Sequence, residues 1–265
     1  GRATGDFYPR TYGNIAMTLL NYRPQANLLQ GRVILVTGAG DGIGKAAALG
    51  FANHGATVIL AGKTIAKLES VYDQIVDTGN PQPAIYPSHF GGAVFKDYED
   101  MAFRLDDEFG RLDGLLHNAA MLGPRTPIAS TDPDKWLEVM TVNLNAPFML
   151  TRALLPLLSA SEDASVIFTS SAVGRHARAY WGPYAVSKFG IEGLMQVLAD
   201  EVEATSNIRV NSLNPGATDT AMRRHAYPAE NPDTNPSPEQ LLPAYLYLMG
   251  PDSMGVHGQA LDAQD

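Results

Sequence analysis

The hydrophobic residues of this chain are concentrated in short apolar runs that alternate with longer segments of mixed apolar and polar residues. The first run, Val33 to Val36, is apolar at every position and predicts a strand buried on both faces, as in a parallel sheet. Six further runs predict strands at 57–61, 84–86, 112–117, 166–169, 208–213 and 259–262. Helical periodicity predicts helices at 42–54, around 68–75, and at 96–109, 133–158, 183–204 and 239–249. This alternation predicts an α/β fold, a doubly wound parallel sheet of about seven strands with helices on both faces.

The chain has 265 residues, which suffices for one large domain, and no linker divides it. We expect this single domain to cover residues 26–265. Residues 1–25 give no signal of fold and are expected to be an N-terminal extension, either loosely ordered or added for expression. The segment 217–240, whose second half is rich in Pro and Asn, is either a disordered loop or a mobile lid over a ligand. Its place at the carboxyl end of a central strand favours the lid.

Composition excludes several classes of function. The formal net charge is −9 without a basic stripe, which argues against nucleic-acid binding. The absence of cysteine excludes disulfides, thiolate metal sites and cysteine nucleophiles, and it fits a cytoplasmic location. No apolar run approaches the ~20 residues that span a bilayer, and the first residues are unlike a secretory signal, so no membrane association is expected. The six histidines lack the spacing of metal ligands, and we expect no metal.

A glycine-rich loop directly follows the first predicted strand and opens the first helix. Glycines let a backbone turn tightly against a pyrophosphate, and the helix N-terminus offers free N–H groups to the phosphates. A plain tight turn is the alternative, but the strand–loop–helix setting favours a dinucleotide site of Rossmann type. The loop lacks the GK[ST] sequence of a phosphoryl-transfer site. The predicted cofactor-binding residues of this loop are Thr37, Gly38, Gly40, Asp41, Gly42, Ile43 and Gly44.

The end of the second strand bears on the choice between NADP(H) and NAD(H). A site for NAD usually has Asp or Glu there, to bind the ribose hydroxyls. This chain has Gly62-Lys63 instead, and a lysine can pair with the 2′-phosphate of NADP. An exposed lysine without function is the alternative. The missing acid and the lysine together favour NADP(H).

Tyr184 and Lys188 are four residues apart, which places them on one face of a predicted helix. A neighbouring ammonium group favours the phenolate, so the pair suits proton transfer to a carbonyl or from an alcohol. A surface pair is the alternative. Ser170-Ser171 ends the fifth strand, at the edge where open α/β sheets bind ligands. Asn143 follows the fourth strand, and its amide is suited to hold a water or a backbone group.

These motifs together resemble the short-chain dehydrogenase/reductase family, and they span about residues 31–262. The matching segments are TGAGDGIG at 37–44, HNAA at 117–120, VNLNAPF at 142–148, TSSAVG at 169–174, YAVSK at 184–188 and NPG at 214–216. Further segments, among them HNAAMLGPR and FMLTRALLPLL, are similar to those of the bacterial YciK-like oxidoreductases, a subgroup with an implied preference for NADP.

The resemblance implies a catalytic tetrad. Its members are Asn143, Ser171, Tyr184 and Lys188, with Ser171 chosen over Ser170 because the family usually has thirteen residues from serine to tyrosine. It implies that Ser171 hydrogen-bonds the substrate oxygen and that Tyr184 transfers the proton. Lys188 would hold the nicotinamide ribose and lower the pKa of the tyrosine. Asn143 would anchor a water that links Lys188 to solvent.

The same resemblance extends the predicted cofactor site and reveals two departures. Tyr184 and Lys188 also belong to the cofactor site. The nicotinamide carboxamide would be held after the sixth strand, by Pro215, Gly216 and Thr218 or Thr220. The adenosine would lie after the fourth strand, against Asn118 and Ala119. The usual NNAG is HNAA here, so Ala120 adds a methyl group near the cofactor. Ser88-His89-Phe90 replaces an acidic residue near the adenine, where His89 would donate a hydrogen bond unless the alignment is shifted.

Apolar residues near the tetrad are expected to shape a pocket for a small carbonyl or alcohol substrate. They are Met121, Leu122, His176, Tyr180, Trp181 and Met222. Packing is the alternative for each of them. Arg125 and Arg178 would either read an anionic group of the substrate or be solvated.

The helices at 133–158 and 183–204 have long apolar faces, and in this family they pair across a two-fold interface. We therefore expect a homodimer or homotetramer. An oxidoreductase acting on a carbonyl or alcohol is the favoured function. A nucleotide-binding sensor with little turnover is the alternative from another class, although it would not need Tyr184 and Lys188 aligned. An epimerase or dehydratase usually has a larger C-terminal substrate domain than this chain offers.

Overall fold

The structure is a computed structural model and describes residues 19–264. Its seven strands form one parallel sheet in the order β3-β2-β1-β4-β5-β6-β7. The strands are β1 Val33–Thr37, β2 Thr57–Gly62, β3 Ala84–Pro87, β4 Gly114–His117, β5 Ala164–Thr169, β6 Ile208–Asn214 and β7 Ala260–Asp262. The predicted fold class, with seven strands and helices on both faces, is confirmed.

Helices cover both faces of the sheet because alternate strand residues point to opposite sides. The helices are α1 Gly42–Asn53, α2 Ile65–Asp77, α3 Phe95–Phe109, α4 Pro133–Met140, α5 Ala146–Ser159, α6 Gly182–Val202, α7 Ala221–Ala226 and α8 Leu242–Met249. In β1, Ile34 and Val36 pack with α1, α2 and α8, whereas Val33 and Leu35 pack with α3, α5 and α6. None of the helices within residues 19–264 is long and apolar enough to cross a bilayer.

The strand order reverses at β1, which lies between β2 and β4. In an open parallel sheet this reversal opens a crevice at the carboxyl ends of the two neighbouring strands, because the following connections leave to opposite faces. The glycine loop after β1 therefore lies at the position where such a sheet binds ligands.

The single helix predicted at 133–158 is two helices joined by a π-helical turn at Thr141–Asn145. The apolar pattern continues through the turn, so periodicity alone predicted no break. A π turn inserts one residue and rotates the side chains after it, and such turns are frequent at functional sites. Here the turn contains Asn143, whose side chain is buried.

Two further features differ from the prediction. The short helix α7 lies inside the segment predicted as a lid. Residues 1–18 lie outside the described residues, but Leu19 and Tyr22 are buried in the core. The Tyr22 hydroxyl donates to Asp252 Oδ2 at 2.7 Å. The packed part of the chain therefore begins before the predicted boundary at residue 26.

A buried ionic cluster, here called the amino-edge network, joins the amino ends of three strands. Asp163, directly before β5, accepts from Arg32 Nη1 at 3.0 Å and from Arg209 Nε at 2.9 Å. Arg209 also donates to the backbone oxygens of Leu248 and Gly250. Burial opposes ionisation of Asp163, but the two arginines outweigh it and hold the pKa of this carboxyl below its ordinary value.

Candidate active site

One cavity of about 500 Å³ lies at the carboxyl ends of the central strands. It extends from the glycine loop after β1 to the amino end of α6. Most of the predicted site residues line this cavity. They are Gly38, Gly40, Asp41, Gly42, Ile43, Gly62, Lys63, His89, Asn118, Ala119, Ala120, Met121, Leu122, Ser171, Trp181, Tyr184, Lys188, Pro215, Gly216, Thr218, Thr220 and Met222.

Two glycines of the glycine loop leave no room for a side chain. Gly38 has a φ of +67°, and a Cβ there would lie 3.0 Å from the Cα of Ala119. A Cβ on Gly44 would lie 2.1 Å from the carbonyl oxygen of Gly38. Asp41 caps α1, because its Oδ1 accepts from the N–H of Gly42 at 2.8 Å. The loop therefore presents bare backbone to the cavity, which is the surface that a pyrophosphate needs.

Two predicted loop residues support the cavity without lining it. Thr37 Oγ1 accepts from the N–H groups of Asn118 and Ala119, at 2.9 and 3.0 Å. This joins the loop after β1 to the loop after β4. Gly44 is buried against Gly38. Both residues therefore shape the site from behind.

Two lysines lie where the cavity passes the end of β2. Lys63 was predicted, but Lys67, one helical turn further on, was not. Lys67 pairs with Asp41, and this hydrogen bond is the main reason why the pKa of Asp41 lies below its ordinary value. Both partners are more than half exposed, so the pair adds little stability. The place of Lys67 in the first turn of α2, directly after the end of β2, was the signal that would have indicated it.

Tyr184, Ser171 and Lys188 meet in the cavity, as predicted for a catalytic group. Burial raises the pKa of Tyr184 to about 12, and a hydrogen bond with Ser171 only partly opposes this rise. Lys188 Nζ lies 5.6 Å from the centre of the Tyr184 ring and donates to the carbonyl oxygen of Thr169 at 2.8 Å. The pKa of Tyr184 therefore follows its burial, and Lys188 donates to the Thr169 carbonyl rather than to the phenol.

Lys188 is itself strongly affected by its surroundings. Its side chain is buried, and burial lowers its pKa to about 8, while the negative charge of Glu192 partly opposes this effect. A lysine with this pKa is mostly, but not completely, protonated at neutral pH.

Asn143 lies behind the cavity wall and fixes a backbone segment. Its Oδ1 accepts from the N–H of Met121 at 2.8 Å, and its Nδ2 donates to the oxygen of Met121 at 2.9 Å and to Ser187 Oγ at 3.1 Å. The sequence suggested either a water or a backbone group as the partner of this amide, and in the structure it holds the backbone of Met121. The Nδ2 of Asn143 thus has protein partners on two different segments.

The unusual HNAA motif separates into two environments. His117 is buried away from the cavity, where its ring stacks on Phe168 at 4.7 Å and its Nε2 lies 2.8 Å from Thr151 Oγ1. Burial lowers the pKa of His117 to about 3, so it is neutral at physiological pH. Ala120 lines the cavity. Of the two residues that differ from the usual NNAG, only Ala120 would therefore contact a ligand, through its methyl group.

The substrate end of the cavity is apolar and aromatic, but it differs from the prediction. His176 and Tyr180 are exposed outside the main cavity, because the chain turns outward before α6; Tyr180 has a φ of +72°. Arg125 lies over the rings of Trp181 and Tyr227, at 4.6 and 5.1 Å. It also donates to the backbone oxygen of Ala226. Arg125 therefore stacks on aromatic rings, whereas Arg178 is exposed to solvent.

Several lining residues were not predicted; some lie within or beside the predicted motifs, and tertiary folding brings the others there. They are Thr64, Lys67, Leu68, Ser88, Phe90, Gly91, Glu138, Val142, Thr169, Ser170, Asn214, Ala221, Arg223, Ala226 and Tyr227. Four of them belong to the predicted lid segment 217–240, which forms one wall of the cavity. Among residues 19–264, no group of three or more His, Asp or Glu side chains has the arrangement of a metal site.

Comparison with known proteins gives matches over nearly the whole chain. The short chain dehydrogenase family matches residues 32–231. YciK of Escherichia coli (strain K12), an uncharacterized oxidoreductase, is 48% identical over 245 residues, which cover 92% of this chain and 96% of YciK.

Two solved structures with a bound cofactor are also similar. A chain from Shigella flexneri 2a, complexed with NADP, is 47% identical with a TM-score of 0.89. A chain from Escherichia coli CFT073, complexed with NADPH, is 49% identical with the same TM-score of 0.89. Each comparison covers 91% of this chain and 100% of the other.

Proposed function

The chain belongs to the short-chain dehydrogenase/reductase family and is an oxidoreductase of that family; from this premise we propose that it uses NADP(H) to interconvert a carbonyl and a secondary alcohol. The observation that carries this proposal is the meeting of Tyr184, Ser171 and Lys188 in the same cavity as the glycine loop. A protein that only senses a nucleotide would not need a half-buried phenol beside a serine and a lysine.

The residues of the cavity fit a nicotinamide dinucleotide. Its glycine end offers bare backbone at Gly38, where a Cβ would collide with the backbone of Ala119. When bound, such a cofactor supplies or accepts a hydride at the substrate carbon. The glycine loop would hold its pyrophosphate, Lys188 its nicotinamide ribose, and Pro215 and Gly216 its carboxamide end.

Tyr184 is the proposed general acid and base. In carbonyl reduction, its O–H bond breaks and the proton passes to the substrate oxygen. In alcohol oxidation, the phenolate accepts that proton. The raised pKa of Tyr184, about 12, keeps the phenol protonated at neutral pH, which is the form that reduction uses. Ser171 would donate to the substrate oxygen, and the positive charge of Lys188 would stabilise the phenolate when it forms.

Two observations support NADP(H) over NAD(H). Lys63 and Lys67 lie at the wall where the adenosine ribose is expected, and no carboxylate ends β2. Two similar solved chains contain NADP or NADPH. A 2′-phosphate would be attracted to the two lysines, and it would compete with Asp41 for Lys67.

A homodimer or homotetramer forms part of this proposal. Large apolar side chains remain exposed on α5 and α6, although Leu150, Leu154 and Leu198 of the same helices are buried in the core. Phe148, Val186, Phe189 and Val197 are each at least 44% exposed. Pairing of these helices between subunits would bury them.

The test combines cofactor binding and turnover in one variant. Tyr184→Phe removes only the phenolic hydroxyl, so we expect NADPH affinity within about threefold of the original and a loss of carbonyl reduction of at least about a hundredfold. Binding is measured by nicotinamide fluorescence, and turnover by NADPH consumption over a panel of carbonyl compounds. The unaltered protein should bind NADPH more tightly than NADH.

The matched control is Tyr72→Phe, which removes the same group from a tyrosine on α2 whose hydroxyl accepts from Gln82. This variant should keep its turnover. Retained turnover in Tyr184→Phe would remove Tyr184 as the acid and base. Tighter binding of NADH would overturn the cofactor assignment.

A further inference from the structure

A second buried ionic cluster, here called the carboxyl-edge network, lies directly behind the candidate active site. Its centre is Glu192, one helical turn after Lys188 on α6, with a side chain only 10% exposed. Glu192 Oε1 accepts from Ser170 Oγ and from Arg175 Nε, the latter at 3.0 Å. Its Oε2 accepts from Ser212 Oγ at 2.6 Å. One carboxylate thus joins α6 to the ends of β5 and β6.

The network extends from Glu192 to the edge of the sheet. Arg175 follows the 3-10 turn Ala172–Gly174, and it also binds Asp262 Oδ2 at 2.9 Å and the backbone oxygen of Leu261. The charged groups around the carboxylate of Glu192 are therefore Arg175, Lys188 and, through Arg175, Asp262.

Three consecutive residues at the end of β5 are held from α6. The carbonyl oxygen of Thr169 accepts from Lys188 Nζ, and Ser170 Oγ donates to Glu192. The next residue is Ser171, which lies close enough to Tyr184 to act on the pKa of its phenol. Ser171, Lys188 and Glu192 are thus connected through the backbone of residues 169–171.

We propose that Glu192 is a positioning residue of the active site, which holds the Ser170-Ser171 segment in place and supplies the negative charge that keeps Lys188 a cation. The inference rests on the proposed function, in which Lys188 acts on the cofactor and on Tyr184. It adds a residue whose effect passes through Lys188 and Ser170 and which does not itself line the cavity.

The charge is needed because Lys188 is buried. Burial lowers the pKa of Lys188 to about 8, and the attraction of Glu192 is the influence that opposes it. With a neutral side chain at position 192, that attraction would be lost and Arg175 would remain nearby as a cation. Both changes favour a neutral Lys188, so its pKa would fall into or below the physiological range.

The test is the titration of Lys188 itself in the full chain, with isotope-labelled lysine side chains observed by NMR and the signal assigned with Lys188→Met. In Glu192→Gln, which keeps the size of the side chain, we expect the Lys188 midpoint to fall by about one pH unit or more. NADPH affinity should then weaken at a correspondingly lower pH. The titration needs neither substrate nor cofactor, so its outcome is independent of the test of Tyr184.

Ser212→Ala is the control, because it removes one hydrogen bond of Glu192 but keeps the charge. Its Lys188 midpoint should stay within a few tenths of a pH unit of the original. A folded Glu192→Gln protein with an unchanged Lys188 midpoint overturns the proposal.

A second variant, Arg175→Gln, should shift the Lys188 midpoint in the opposite direction. It removes the cation that offsets Glu192 and leaves the carboxylate, so the Lys188 midpoint should rise. If Glu192→Gln does not fold, this variant decides the question. An unchanged or lower midpoint in Arg175→Gln sinks the assignment of Glu192.

Discussion

The two buried ionic networks lie at opposite ends of the same strands, β5 and β6. In the amino-edge network, Asp163 is held by two arginines, Arg32 and Arg209. In the carboxyl-edge network, Glu192 is held by one arginine and two serine hydroxyls. Glu192 is buried and the side chain of Asp163 is only 14% exposed, and both carboxylates join strand ends to neighbouring segments. They differ in what lies next to them.

The amino-edge network is surrounded by backbone carbonyls and structural side chains. The carboxyl-edge network lies beside a buried lysine of the candidate active site. In an open parallel sheet, ligands bind at the carboxyl ends of the strands, so a buried charge at that end acts on the site while one at the other end acts mainly on stability. The position of the charge in the sheet, rather than its chemistry, separates the two roles.

The largest expected effect is on stability at the amino edge. Asp163→Asn removes the carboxylate from Arg32 and Arg209, although both guanidinium groups keep backbone acceptors. The free energy of unfolding should therefore fall by about 3 kcal/mol, the lower end of the loss for a broken buried ion pair. Urea denaturation of the full chain measures the loss. NADPH affinity and the Lys188 titration should not change. Folded Asp163→Asn protein with at least tenfold weaker NADPH binding would break the separation between the two edges.

The strands of this fold could be predicted from the sequence because they are buried on both faces. Runs such as Val33 to Val36 carry no polar residue, so neither the strand nor its parallel setting is ambiguous. The division of the helix at Thr141–Asn145 could not be predicted, because its apolar pattern continues through the π turn. The short helix α7 has six residues, too few to show a period.

The candidate site could be predicted only where a local motif contains its residues. The glycine loop and the pair Tyr184 and Lys188 are such motifs. Glu192 was not predicted, because an acid on a long helix is usually exposed, and only the packing of β5 and β6 against α6 shows it buried. His176 and Tyr180 were predicted to line the pocket because they are close in sequence to the tetrad. In the structure the chain turns outward before α6, so both side chains are exposed outside the main cavity.

The next effect is the dependence of stability on pH at the amino edge. The pKa of Asp163 is lower in the folded protein than in the unfolded chain, so its contribution is present above the unfolded value, about 3.9, and is lost as pH falls through the folded value. Melting temperatures between pH 3 and 7 should therefore fall less steeply with acidity in Asp163→Asn than in the unaltered protein, from a lower starting point. Parallel curves would show that other carboxyl groups carry the acid sensitivity.

The smallest expected effect compares Ser212 of the carboxyl-edge network with Ser253, whose hydroxyl accepts from Arg209 of the amino-edge network. Ser212→Ala leaves Glu192 Oε2 without the only side-chain donor it has among the described residues, and should cost about 1–2 kcal/mol of unfolding free energy. Ser253→Ala removes a partner of Arg209, but that guanidinium keeps the oxygens of Leu248 and Gly250. Its cost should therefore be smaller, about 1 kcal/mol or less. Urea denaturation of the two variants side by side measures the difference. A larger loss of unfolding free energy in Ser253→Ala than in Ser212→Ala would contradict this expectation. The number of remaining hydrogen-bond partners would then not determine how much each serine stabilises its network.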